Sequence, residues 1–215
     1  MHHYLGHDTS LADYTSGRYS TEISELEKQG VEPSGLSHRR LTSMVNLQMA
    51  QFSAQIASQY SSSVQARYAR DVSTDDLRKY NVILSGSQSA NPWIELYQGR
   101  LNFVFDKGVV RNVHPQAGEL AEYPMEQPPD HFSYGVLAFL PGLDSSKNIL
   151  IMEGTTLPGT EAITDLLFEQ KDMEELLHGL RNSDGTLKHF EILLASSHFN
   201  GKAGNFHIVA ERSYP

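Results

Sequence analysis

This sequence predicts an α/β fold: one mixed sheet of about seven or eight strands with helices on its faces, partly doubly wound and containing antiparallel hairpins. Three observations carry that expectation. Val82-Ile83-Leu84 is continuously apolar, as a strand covered on both faces requires. Leu41, Val45, Met49, Phe52, Ile56 and Tyr60 recur at spacings of three and four, the period of an amphipathic helix. Alternating runs at 101–113 and paired apolar runs at 190–196 and 205–211 close around turn residues, as hairpins do.

Taken in order, residues 1–36 are polar and rich in glycine, and they read as an N-terminal extension with one short helix at 20–29. His2, His3 and His7 belong to this terminus and do not read as a metal site. Residues 37–215 read as a single domain. Its first element is a helix capped by Ser37, ended by the serines at 61–63 and packed on the sheet, with Met44 and Met49 as core filler. The alternation in 64–72 suits an edge strand, and Ser73 or Thr74 followed by Asp75 and Asp76 starts a short helix where acidic side chains favour the helix dipole. The strand at 82–84 follows. Asn91-Pro92-Trp93 then has the form of a cap with proline at the first helical position. After the 101–113 hairpin, the proline-rich stretch 114–130 reads as an exposed excursion. Strands at 132–140 and 148–152 form an antiparallel pair. Helices at 161–170 and 173–180 and the closing strand pair complete the chain.

The net charge of −9 argues against a broad electrostatic grip on nucleic acid or anionic lipid. The absence of cysteine removes thiol and disulfide chemistry, and it leaves the compartment open. No run approaches the roughly 18 apolar residues of a membrane span, so the segment reads as soluble.

Two strand-loop-helix stretches, 80–97 and 148–168, present small, hydroxyl-rich turns, and ligands in open α/β sheets bind where strand ends meet helix starts. The candidate ligand residues are Ser85, Ser87, Asn91 and Trp93 on the first turn and Glu153, Thr155, Gly159 and Thr160 on the second. Serine, threonine and asparagine there supply directional hydrogen bonds, and backbone N–H groups at the second helix start suit an anion, so a small anionic or polar ligand is expected. The same residues also suit ordinary turns and caps. Neither stretch has the glycine spacing of a phosphate-binding loop. No Gly-x-Ser-x-Gly elbow occurs and the histidines lack metal-ligand spacing, so no catalytic residue, metal or cofactor is assigned, and the reading leans away from an enzyme.

From Asp75 onward the order of motifs resembles an uncharacterised bacterial domain. The resemblance runs through Asp76-Leu77-Arg78, 82–86, Asn91-Pro92-Trp93, 101–105, Tyr134-Gly135-Val136-Leu137, Glu153-Gly154, Gly159-Thr160-Glu161-Ala162 and 191–195. It covers about two thirds of the chain, with the NPW and GTEA elements its most specific parts. The domain is often found C-terminal to a helix-turn-helix or membrane-anchored segment, which implies a sensing or regulatory module. Three function classes follow: a non-catalytic sensor or interaction domain, an enzyme acting on a small phosphorylated or nucleotide substrate with Glu153 as base, and an oligomerisation domain pairing through strand 204–211.

Overall fold

The computed structural model describes residues 5–30, 42–60, 63–106, 108–125, 132–168, 170–199 and 202–214. In chain order these form helices α1 (Leu11–Ser16), α2 (Arg18–Lys28), α3 (Met44–Ala57) and α4 (Thr74–Lys79), then strand β1 (Val82–Ser85). A 3-10 turn (Pro92–Leu96) leads to β2 (Phe103–Asp106), β3 (Val109–Asn112) and β4 (Glu122–Pro124). Strands β5 (Phe132–Pro141) and β6 (Asn148–Gly154), helices α5 (Leu157–Phe168) and α6 (Gln170–Gly179), and strands β7 (His189–Phe199) and β8 (Lys202–Tyr214) complete the order.

The class is α/β as expected, but the eight strands divide between two sheets. One is five-stranded, in the order β1-β6-β5-β7-β8, and the other is the antiparallel meander β2-β3-β4. In the larger sheet β1 runs parallel to β6 and every other pairing is antiparallel. The two helices between β6 and β7 therefore cross over β5, so that β6 and β7 point the same way with one strand between them.

Period-two alternation sorts the core. Leu137, Met152, Ile192 and Leu194 face α5 and meet Ile163 and Leu166, with Met49 of α3 behind them. Tyr134, Val136, Ala138, Ile149, Ile151 and Leu193 face the opposite way. There they pack on Trp93, Ile94 and Tyr97 of the 3-10 segment and on Phe103, Val104 and Val110 of the small sheet. Tyr14, Tyr19 and Ile23 of the polar N-terminal stretch join the same core.

Four local expectations change. The stretch read as an edge strand at 64–72 is irregular chain ending in a 3-10 turn, because no strand among the described residues pairs with it. Instead the Ala69 carbonyl accepts the Trp93 indole N–H at 2.8 Å. The excursion after 113 contributes β4, which pairs with β3 and buries Tyr123. α3 leans on α5 rather than directly on the sheet, and of its two methionines Met49 is fully buried while Met44 is 68 % exposed. Its cap is Ser43, whose hydroxyl accepts the Asn46 N–H. The expected cap at Ser37, the turn to Leu41 and the 200–201 turn lie outside the described residues.

Candidate functional site

The carboxyl ends of β1 and β6 lie side by side, since the two strands run parallel in register from Val82 opposite Ile149 to Ser85 opposite Met152. One further bond, from the Gly86 N–H to the Met152 carbonyl at 3.0 Å, carries the pairing into the loop. Gly86 then turns the chain at a φ of 96°, a conformation that glycine adopts without strain. Ala90 and Asn91 donate their N–H groups back to the Ser87 carbonyl, closing a tight turn. The Ser87 and Ser89 hydroxyls bond one another at 2.8 Å.

The two sequence motifs meet at Glu153. The residue is 1 % exposed, next to last in β6, and its Oε1 accepts the Gln88 N–H at 3.1 Å. Oε2 is buried with no donor among the described residues, and the same is true of Asn91 Oδ1 and Asn46 Oδ1. Asn91 Nδ2 donates to the Ser85 carbonyl at 3.3 Å. Asn46 of α3 lies against the loop at Gly86. Three residues that carry a buried, unpaired acceptor oxygen thus meet at one small loop. Burial pushes the Glu153 carboxyl up to about 7, an effect that the Gln88 N–H partly offsets.

A carboxylate whose folded affinity for a proton exceeds its ordinary value near 4.5 stabilises the fold less as pH rises. The loss begins above the ordinary value and is complete beyond about 7. Glu153→Gln keeps the acceptor for Gln88 and removes the charge. We expect it to raise stability by roughly 2 kcal/mol at pH 8 and to flatten the dependence between about pH 5 and 7, as read by urea titration at each pH. An unchanged slope would show that Glu153 is ionised and solvated in the folded chain.

The other candidates serve the fold more than a ligand. Trp93 is 3 % exposed and anchored through Ala69. Thr155 extends the β5–β6 ladder, its N–H donating to the Tyr134 carbonyl while Oγ1 accepts the Tyr134 N–H, each at 2.9 Å. Gly159 and Thr160 are buried in the first turn of α5. A β-carbon on Gly159 would collide with the Tyr134 carbonyl, and one on Gly154 with Thr160. The Gly159 N–H points to Thr156 Oγ1, the Thr160 N–H to the Thr156 carbonyl, and Pro158 has none. The helix start therefore offers an anion little. Asn46 and Gln88 were not legible as site residues, because an asparagine on a helix and a glutamine in a turn carry no signal of what they will face.

A second polar network ties the two sheets together. Glu191 of β7 accepts the Asn102 N–H at 2.8 Å, the Phe103 N–H at 3.2 Å and the Tyr214 hydroxyl at 2.6 Å. Beside it Arg212 of β8 forms a two-pronged ion pair with Glu119, with Nη1 at 2.8 Å from Oε1, and it also reaches the His114 carbonyl and Asn112 Oδ1. The Arg212 guanidinium holds the Glu119 carboxyl down to about 2. A shallow groove of about 500 Å³ opens over this region between Arg111–Val113 and Ala121–Glu122, away from Glu153. The buried side chains around it bond one another apart from Arg212 Nε, which makes it a support for the fold before it is a site. Among the described residues no cluster of His, Cys, Asp or Glu could hold a metal ion, and no helix is long and apolar enough to cross a membrane.

No protein-family model, curated protein or solved structure matches this chain.

Proposed function

We propose that this chain is a non-catalytic ligand-sensing or interaction domain of a bacterial regulatory protein, and that its ligand is a small polar molecule held at the joined ends of β1 and β6. The observation that carries the reading is the set of buried acceptors without donors, Glu153 Oε2, Asn91 Oδ1 and Asn46 Oδ1, on three residues that meet at a loop Glu153 itself fixes. Buried acceptors left unpaired cost free energy, and a ligand that brings N–H or O–H donors recovers it. The sequence alone suggested a phosphate or carboxylate. The acceptor-rich loop and the occupied N–H groups of α5 favour an amine, amide or polyhydroxyl compound instead.

Ser87, Gln88 and Ser89 are half-buried, and Ala90 and Thr156 are exposed, so the loop has a rim facing solvent. Asn46 sits on α3, which gives binding at the loop a direct lever on that helix. The resemblance to a domain found beside helix-turn-helix or membrane-anchored segments supports a regulatory role for such a lever.

The test is a thermal-shift screen of amino acids, polyamines, sugars and nucleotides on the wild-type chain and on Asn91→Asp and Glu153→Gln. A ligand of the folded state raises the melting temperature with concentration. Stabilisation by a donor-bearing class that either substitution abolishes is the expected result. A flat screen, or shifts that both variants retain, would overturn the reading. The enzyme alternative draws on one feature, a buried carboxyl poised near neutral pH as a general base is. It predicts a Glu153→Gln variant that binds substrate without turning it over.

A further inference from the structure

The longest stretch without an Asp, Glu, Lys or Arg in this acidic chain is the 26 positions 41–66, and α3 lies inside it. One side of that helix carries Val45, Met49, Phe52, Ile56 and, in the turn that follows, Tyr60, at near-constant spacings of three and four. The stripe begins under cover, with Met49 fully buried and the Phe52 ring 4.8 Å from that of Phe168 on α5. It then emerges. Phe52 is 41 % exposed, Ile56 46 % and Tyr60 85 %, so the second half of the helix projects beyond α5 with its apolar side open. Around it stand Gln48, Gln51, Gln55 and Gln59, all exposed and uncharged.

We infer that this projecting half of α3 is the contact through which two copies of the chain associate, each stripe packing on its mate across a two-fold axis. Charge selects the occupant. Surfaces that lie at the centre of protein interfaces are depleted in charged residues and enriched in methionine and aromatics, as this helix is. Two molecules of net charge −9 repel one another wherever carboxylates face carboxylates, and α3 is the surface where they meet without a charge on either side. A basic partner would find no carboxylate on it to pair with. An anionic membrane surface calls for lysine and arginine on the polar face, where this helix has glutamines. A two-fold contact needs only a face that complements itself, and an i, i+4 ridge of Phe, Ile and Tyr fits between its own copies in antiparallel packing. A helix of this length, roughly 20 Å, gives a contact at or below the roughly 1,200 Å² of a standard interface, so the association is reversible and concentration-dependent.

The experiment is sedimentation of the full chain from roughly 1 to 500 μM, a range spanning the affinities expected of an interface this small. A monomer–dimer equilibrium is expected. Ile56→Glu, which puts two carboxylates across the axis, should weaken it at least tenfold. Tyr60→Glu should do the same at a side chain whose packing within the monomer is slight, so that loss of dimer is not loss of fold. Leu120→Glu, an exposed position between β3 and β4, should leave the equilibrium unchanged. A monomer throughout the range overturns the inference. So does a dimer that survives both α3 substitutions, and one that Ile208→Glu on the edge strand β8 dissociates in their place overturns it in favour of strand pairing. None of these readouts requires a ligand at the β1–β6 loop, so the outcome is separable from that of the thermal-shift screen.

Discussion

Replacing Arg212 with leucine is expected to lower stability by about 3–5 kcal/mol, the usual result of leaving one member of a buried ion pair without its partner. The two side chains are 7 % and 14 % exposed. Arg212 Nη1 also bonds the Glu211 carbonyl at 2.6 Å and Nη2 the His114 carbonyl at 2.9 Å, while the guanidinium lies 5.1 Å from the centre of the Phe103 ring. Leucine recovers part of that last contact and none of the hydrogen bonds. The acid limb of the stability curve should move as well. With Arg212 in place Glu119 stays ionised down to about pH 2, and the stabilisation this confers is full above the carboxyl's ordinary value of 4.5 and is lost progressively as pH falls from there through about 2. Without the guanidinium, only the Gln116 N–H and the Asn112 amide remain to oppose the effect of burial on Glu119, and acid unfolding should set in at higher pH. Glu119→Gln combined with Arg212→Leu should recover much of the loss, because the amide retains bonds to Asn112 and Gln116 without an unpaired charge. Urea titrations of the single and double variants at pH 7 and pH 4 measure both effects. A cost below about 1 kcal/mol would mean that water already screens the pair as it does at a surface.

The difficulty of finding that pair in the sequence shows where pattern reading stops. The runs 132–140 and 148–152 declared themselves as strands because burial on two faces leaves little choice of residue type. Val82-Ile83-Leu84 is a strand too, but at the sheet edge with Ile83 45 % exposed rather than covered on both faces as expected, and its end lies beside that of β6. Glu119, in a stretch rich in proline and glycine, looked like solvent-facing loop. Its partner comes 93 positions later on an edge strand, and no local period connects the two. Glu191, inside the apolar run 190–196, had the opposite problem: alternation places it on a buried face, yet only the tertiary structure shows that it replaces a strand partner for Asn102 and Phe103. That substitution of carboxylate for backbone helps explain the two sheets where one was expected. β2 begins where a side chain from β7 satisfies its first N–H groups, so the meander packs against the larger sheet without joining its ladder. The alternation at 64–72 misled for a related reason. A strand is defined by a neighbour as much as by its own sequence, and here the neighbour is the Trp93 side chain.

The seat of α5 should be the least forgiving place in the chain, and Gly135→Ala is expected to cost about 3 kcal/mol, the upper end of what overpacking costs. A β-carbon at position 135 would sit 2.6 Å from the Gly159 carbonyl oxygen and 2.7 Å from Ile163 Cγ1, well inside contact distance. Gly154, the cross-strand partner of Gly135, faces Thr160 of the helix, and Gly159 of the helix faces the Tyr134 carbonyl, so the helix can retreat only by withdrawing Ile163 and Leu166 from Leu137 and Met152. Alanine suits a strand at least as well as glycine, and the cost is therefore steric rather than conformational. Trimming Ile163 to alanine in the Gly135→Ala background should not restore stability. It relieves one contact, leaves the carbonyl in place and removes buried methyl groups of its own. Gly179→Ala at the end of α6, where nothing lies within 4 Å, is the control and should be neutral or slightly stabilising. For a chain of this size the expected loss corresponds to a fall in melting temperature of roughly 6–12 °C. Gly154 directly follows Glu153, so a displaced α5 also moves the carboxyl that holds Gln88. Gly135→Ala should accordingly weaken any ligand that the thermal-shift screen finds, while Gly179→Ala should not. If Gly135→Ala melts with the wild type, the helix is not seated on these glycines, and the geometry drawn here for the β1–β6 loop loses its support.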